Sequence, residues 1–206
     1  MDAIKNLHVN LTFTEPVLGT WPANPQIAED FISSKSPDAA TVEEEIAAIG
    51  VDEYVAKGKT IFPKLPNGTP FFYDYQIKGF FKGACGMLSR VGGKGSGATH
   101  SSKLKAYKKI IDGLVFVSPR QIPISTNGGI VDCQRPLRAQ TAQGERVSLA
   151  NSEEIPAGSS IDFTIQLLDP SLEAVAREWL DYGVFSGIGQ WRNSGKGRFT
   201  YEILEE

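Results

Sequence analysis

Residues 187–199 read Gly187-Ile188-Gly189-Gln190-Trp191-Arg192-Asn193-Ser194-Gly195-Lys196-Gly197-Arg198-Phe199. Four glycines in so short a stretch let backbone N–H groups turn toward an anion. Arg192, Lys196 and Arg198 add positive charge, and Trp191 offers a plane on which a ring can stack. The chemistry this predicts is the grip of a phosphate-bearing ligand. Two phosphate motifs are excluded. The glycines of a Rossmann fingerprint open a helix after a strand, whereas here a helix comes first and a strand follows. Gly195-Lys196 is followed by glycine rather than by Ser or Thr, so it is no Walker loop. The same composition also suits a tight turn that lets a helix and a strand pack, and composition alone does not separate the two.

Residues for bond-breaking chemistry are sparse. The two histidines are His8, which alternates outward on an opening strand, and His100, which lies in a glycine-rich loop and is poorly held for a base. Asp30 and Asp132 are acids without a visible partner. Cys85 and Cys133 make no CxxC pair, and no Cys/His spacing suggests a metal site. The expectation is a protein with no catalytic residues, no metal and no cofactor.

The net charge of −3 argues at first against a nucleic-acid ligand, but the charge is segregated. No acid lies between Asp74 and Asp112, where Lys78, Lys82, Arg90, Lys94, Lys103, Lys105, Lys108 and Lys109 all fall. A second basic group comprises Arg135, Arg138 and Arg146, and a third is the glycine-rich stretch. The acids gather at Glu29, Asp30, Asp38, Glu43, Glu44, Glu45, Asp52 and Glu53. A chain of this kind can offer a phosphate-binding face while staying acidic overall. Solvated surface explains the lysines equally well. No apolar run is long enough for a membrane span and residues 1–5 carry no signal-peptide pattern, which predicts a cytoplasmic protein.

The elements that must position these residues follow from periodicity. Leu7, Val9, Leu11 and Phe13 alternate as a strand, and 15–22 reads as a loop. Residues 26–57 read as an acidic helical insertion, and 60–63 as extended. Ile77, Phe80, Phe81, Ala84, Cys85 and Leu88 form one stripe of a helix from Gln76, with Lys78 and Lys82 on its other face. Gly79, Gly83 and Gly86 in that helix predict close packing or a close backbone approach. A flexible Gly-rich loop is expected at 91–102, then strands at 114–117, 147–149 and 161–167. Asp169 or Ser171 caps a last helix with the stripe Leu172, Val175, Ala176, Trp179 and Leu180, and Phe199, Tyr201 and Ile203 alternate in a final strand. The order is that of an α+β sheet packed on helices in one domain over 1–206.

Helix, Gly-Ile-Gly, basic residues, then Gly195-Lys196-Gly197-Arg198-Phe199 resembles the signature loop of the RAMP superfamily, the RNA-gripping backbone proteins of CRISPR effector complexes. Two further stretches agree, in family order. Gly68-Thr69-Pro70-Phe71-Phe72-Tyr73-Asp74-Tyr75-Gln76-Ile77-Lys78-Gly79 is similar to the turn into the family's first helix. Arg138 to Glu145, leading into Glu153-Glu154-Ile155-Pro156-Ala157-Gly158-Ser159-Ser160-Ile161-Asp162-Phe163, resembles its thumb-like hairpin and the strand after it. The family's usual Pro-Gly-Ser-Ser before the first helix is Tyr73-Asp74-Tyr75-Gln76 here, so no RNA contact is carried to those four.

The resemblance implies a ferredoxin-like or RRM-like antiparallel sheet packed on helices, with a thumb-like hairpin beside the acidic insertion. It implies RNA held, as the leading reading, by Lys78, Lys82, Arg135, Arg138, Gly187, Gly189, Arg192, Gly195, Lys196 and Gly197, to which the loop's own chemistry adds Trp191 and Arg198. Expected partners are RNA or a nucleotide, and further RAMP-like subunits or a defence complex, with homo-oligomers side by side and no membrane. The second reading is a phage-encoded counter-defence protein that inhibits a CRISPR effector or sequesters a nucleotide signal, and the third is an endoribonuclease.

Overall fold

The computed structural model describes residues 4–23, 58–91, 98–141 and 144–204, with side chains for all of these but 137–148. The acidic segment expected at 26–57 lies outside the described residues.

Strand β1 (Lys5–Phe13) buries Leu7, Val9, Leu11 and Phe13, as its alternation predicts. It sits between β10 (Ser160–Leu167) and β11 (Phe199–Leu204), antiparallel to both. On the far edge of β10, β6 (Val115–Ser118) and then β7 (Gln121–Ser125) pair in succession. The interruption falls at Pro119, which has no N–H to donate to a ladder. β5 (Phe71–Tyr73) closes the sheet beyond β7.

The second sheet is built on a long hairpin, β8 (Val131–Thr141) with β9 (Gly144–Ile155). The stretch 15–22, expected to be a loop, contributes two short strands to it: β2 (Val17–Leu18) pairs β9, and β3 (Trp21–Pro22) pairs β4 (Thr60–Ile61). Val17 and Leu18 are fully buried, which draws this polar-flanked segment into the fold. Apart from one parallel bridge from β4 to β9, the pairings among the described residues are antiparallel.

Three helices are described. In α1 (Asp74–Leu88) the buried residues Ile77, Phe80, Phe81, Ala84 and Cys85 are the predicted stripe. The side chain of Gln76 accepts a 2.7 Å hydrogen bond from the Tyr73 N–H and so closes the first turn. α2 (Tyr107–Leu114) is a short helix that was not expected. It buries Ile111, with Tyr107, Ile110 and Leu114 packed partly against the core, an i, i+3, i+4, i+7 repeat confined to eight residues. α3 (Glu173–Ser186) buries Val175, Ala176, Trp179, Leu180 and Gly183. Helices α1 and α3 cover one face of the large sheet: Phe80 meets Phe199 of β11 edge-on at 5.9 Å, and Phe81 packs on Trp179 at 5.3 Å. The opposite face is polar, with Asn10 donating to Asp162 at 2.7 Å.

A 3-10 turn (Pro170–Leu172) leads into α3, and the Asp169 carboxylate accepts from the Ser171 N–H at 2.9 Å. Of the two candidate caps, Asp169 caps this 3-10 turn, whereas α3 follows from Leu172 without a side-chain cap of its own. The Asp169→Ala variant is expected to unfold at a lower urea midpoint with unchanged slope.

Candidate functional site

The glycine-rich stretch connects α3 to β11, and its two arms run against each other. The Ile188 N–H donates to the Gly197 carbonyl at 2.9 Å, and the Gly197 N–H donates to the Pro16 carbonyl at 2.8 Å. Gly187, Gly189, Gly195 and Gly197 all have positive φ, from 70° to 90°. Gly197 also needs the absence of a side chain, since a Cβ there would overlap the Ile188 carbonyl oxygen. Between the arms, Arg192–Ser194 forms one 3-10 turn, preceded by Trp191 in the left-handed region at φ 55°. Several amides of the loop are therefore spent on holding its own shape. What it presents outward is side chains: Arg192 and Arg198 are exposed, and Trp191 is 39% exposed.

The hairpin fixes this loop from one side. Arg135 of β8, only 5% exposed, donates to Ser152 Oγ and to Gln190 Oε1, both at 2.9 Å, and its guanidinium lies 5.3 Å from the Trp191 ring centroid. Gln190 in turn donates to the Gly19 carbonyl at 3.1 Å. Lys196 pairs with Glu154 of β9 at 2.6 Å, both side chains largely buried. The expected phosphate-gripping cations Arg135 and Lys196 thus have partners inside the protein, and their geometry is that of clamps on the loop. Arg138 lies on the same hairpin, but its side chain is outside the described residues.

A groove of about 260 Å³ runs between the loop and α1. Ile188, Gly189 and Arg192 form one wall, Gln76, Gly79, Phe80 and Gly83 the other, and Thr20 and Phe72 close it. Close packing or a close backbone approach was expected of three α1 glycines, and of these Gly86 packs closely, where a Cβ would press on the Tyr107 hydroxyl at 2.8 Å. Nothing lies within 4 Å of a Cβ built at Gly79 or Gly83, because both face this open groove. Sequence reasoning did not single out Thr20 and carried no contact to Gln76, yet the two meet through a side-chain hydrogen bond at the end of the groove.

Lys78 and Lys82 are not brought to it. They lie on another face of α1, where Lys82 pairs with Asp112 at 2.6 Å and Lys78 lies 5.0 Å from the Phe116 ring centroid. The hydrogen bond from Lys82 holds the Asp112 carboxyl below its ordinary range.

Of the residues weighed for catalysis, Asp30 lies outside the described residues, and Asp132 pairs with Lys59 at 2.6 Å. His8 Nδ1 and Thr164 Oγ1 share a 2.9 Å hydrogen bond on the polar face of the large sheet. That is five residues along β1 from Phe13, or roughly 17 Å from the strand end next to the loop. At His100 the backbone N–H, with the N–H and hydroxyl of Ser101, donates to the Glu178 carboxylate of α3. Burial pushes the Cys85 thiol up, and burial with the nearby Glu154 carboxylate does the same for Cys133, so neither is held as a thiolate nucleophile. Among the described residues no helix is long and apolar enough to cross a membrane.

No protein-family profile and no curated protein match the chain. Its similarity to solved structures is at the level of fold. A chain of the type III-B Cmr-beta complex bound to cognate target RNA aligns over 98% of this protein with a TM-score of 0.50 and 11% identity. This protein spans 61% of that chain's length. A chain of a type IV-B CRISPR complex aligns over 97% of this protein and 90% of its own length, at 10% identity and a TM-score of 0.45. At the level of fold, the protein is similar to that chain of the type III-B Cmr-beta complex.

Proposed function

We propose that the protein is a non-catalytic RNA-binding RAMP-like protein that holds a single strand by its backbone along the groove between α1 and the glycine loop. The observation that carries this reading is the loop beside that groove, which Arg135 and Lys196 clamp so that Arg192 stands in the groove wall and Arg198 and Trp191 face solvent. Contacts of this kind read phosphate rather than base edges, which gives affinity without sequence preference. At about 260 Å³ the groove has room for one nucleotide unit at a time rather than for a whole dinucleotide cofactor. Arg135, Lys196 and the glycines act as positioning residues in this scheme. Lys78 and Lys82, on another face, stand outside it.

The same reading takes the core as ferredoxin-like. In its support, the chain order is β1, α1, β6 with β7, β10, α3, β11, and the sheet order is β11, β1, β10, then β6 and β7. The β8–β9 hairpin, inserted between β7 and β10, corresponds to a thumb. Side-by-side assembly on RNA belongs to the proposal, and light scattering with and without RNA tests it.

Protein purified from cells is expected to carry RNA, seen as a raised 260/280 nm ratio and recovered by extraction. The Arg192→Glu/Arg198→Glu double variant is expected to lose it and to bind single-stranded RNA at least tenfold more weakly. If each arginine meets one phosphate, the slope of log affinity against log salt falls in magnitude by about 1.4. Nucleic-acid-free protein whose weak RNA binding ignores both substitutions overturns the reading.

A further inference from the structure

Four aromatic rings from three separate segments meet at the start of α1. Tyr73, the last residue of β5, stacks on Tyr75 in the first turn of α1, with centroids 5.0 Å apart and planes within 15°. Trp21 of β3 backs Tyr73 at 5.7 Å, and Phe71 meets it edge-on at 4.9 Å. The outermost ring, Tyr75, is 47% exposed. A single exposed tyrosine is ordinary. This one is the end of a braced stack, so its ring has little conformational freedom left to lose on binding.

The surroundings suit a flat, uncharged ligand group rather than a phosphate. The amides at the start of α1 already have acceptors: Tyr75 N–H donates to Asp74 Oδ1 at 2.9 Å, Tyr73 N–H to Gln76 Oε1 at 2.7 Å, and Asp74 N–H to the Arg120 carbonyl at 3.0 Å. The Asp74 carboxylate repels an anion at the same place, against the pull of the nearby Arg120 guanidinium. Burial, the neighbouring Tyr73 and Asp74 together push the Tyr75 phenol up, which keeps the ring neutral. What remains on offer is a π-face.

This stack adjoins the groove. Thr20 and Gln76, which close the groove through their mutual hydrogen bond, are the sequence neighbours of Trp21 and Tyr75. We propose that Tyr75, braced by Tyr73 and Trp21, is a base-stacking platform for single-stranded RNA whose backbone follows the glycine-loop groove. The proposal rests on the RNA-binding reading above and adds to it a separate subsite with separate chemistry. Stacking on a tyrosine face tolerates any base, so the platform strengthens binding without conferring sequence preference.

Fluorescence anisotropy with labelled oligoadenylate, and with an abasic sugar-phosphate chain of equal length and charge, separates the two subsites. Tyr75→Ala is expected to weaken oligoadenylate binding roughly tenfold and to leave the abasic chain unaffected. Tyr75→Phe keeps the π-face and retains affinity, while Tyr75→Leu keeps bulk without the face and loses it. A melting curve for each variant separates a lost subsite from a lost fold. Equal losses on both probes, or oligoadenylate binding unchanged in Tyr75→Ala, overturn the platform. If the Arg192→Glu/Arg198→Glu variant still loses both probes in that case, the groove survives and the platform alone falls. Wild-type protein that binds neither probe removes the RNA reading and the platform with it.

Discussion

Gly197→Ala is expected to lower stability by about 3 kcal/mol, which for a chain of this size moves the melting temperature down by roughly 6–12 °C. Two costs add. The residue sits at φ 72°, where an L side chain is strained by about 1–2 kcal/mol. Its Cβ would also overlap the Ile188 carbonyl oxygen, and backbone cannot swing aside as a side chain can. The two arms must then part, which breaks the Ile188–Gly197 hydrogen bond and moves the wall that carries Ile188, Gly189 and Arg192. Gly195→Ala is the matched control. It shares the positive φ, 90°, but the nearest atom to its Cβ is the guanidinium carbon of Arg198 at 3.8 Å. Only the conformational cost applies there, so thermal melts of the pair separate strain from collision, and RNA binding is expected to fall further in the first variant than in the second.

Trp179→Ala is expected to cost about 4 kcal/mol, the largest effect of any single truncation considered for this protein. The indole is fully buried, lies against Phe81 of α1, and donates to Ser101 Oγ at 3.1 Å. Ser101 is itself held by Glu178, the residue before Trp179, so one turn of α3 secures α1 through the ring and residues 100–101 through the carboxylate. Trp179→Phe restores most of the apolar contact but leaves the Ser101 hydroxyl one donor short. It is expected to cost roughly 1–2 kcal/mol, and chemical denaturation of the two variants apportions packing against hydrogen bonding.

The parts of this fold that sequence made legible are those in which one local pattern decides the outcome. The stripes of α1 and α3 and the alternation of β1 and β10 each bury a whole face against the core, so period and burial coincide. β7 was missed because its two buried residues, Ile122 and Ile124, flank a proline within a five-residue strand. α2 was missed although Tyr107, Ile110, Ile111 and Leu114 recur at helical spacing, because that repeat spans only eight residues and runs straight into β6. At the site, glycine positions and the loop's place between helix and strand were readable, because they depend on neighbours in the chain. The use of each charge was not. Arg135 is committed to Gln190, Lys196 to Glu154 and Lys82 to Asp112, partners 55, 42 and 30 residues away that become neighbours only in the fold. The aromatic stack was hidden for the same reason, since Trp21 reaches Tyr73 across the intervening acidic stretch.

The groove is sewn from both ends of the described chain: Gly197 bonds to Pro16, Gln190 to Gly19, and β1 lies between β10 and β11. Such distant closures are slow to form and come late in folding. During synthesis at roughly 5–20 residues per second, the first strand waits unpaired while the intervening residues are made. A ribosome-bound chain therefore has no finished groove until β11 has cleared the exit.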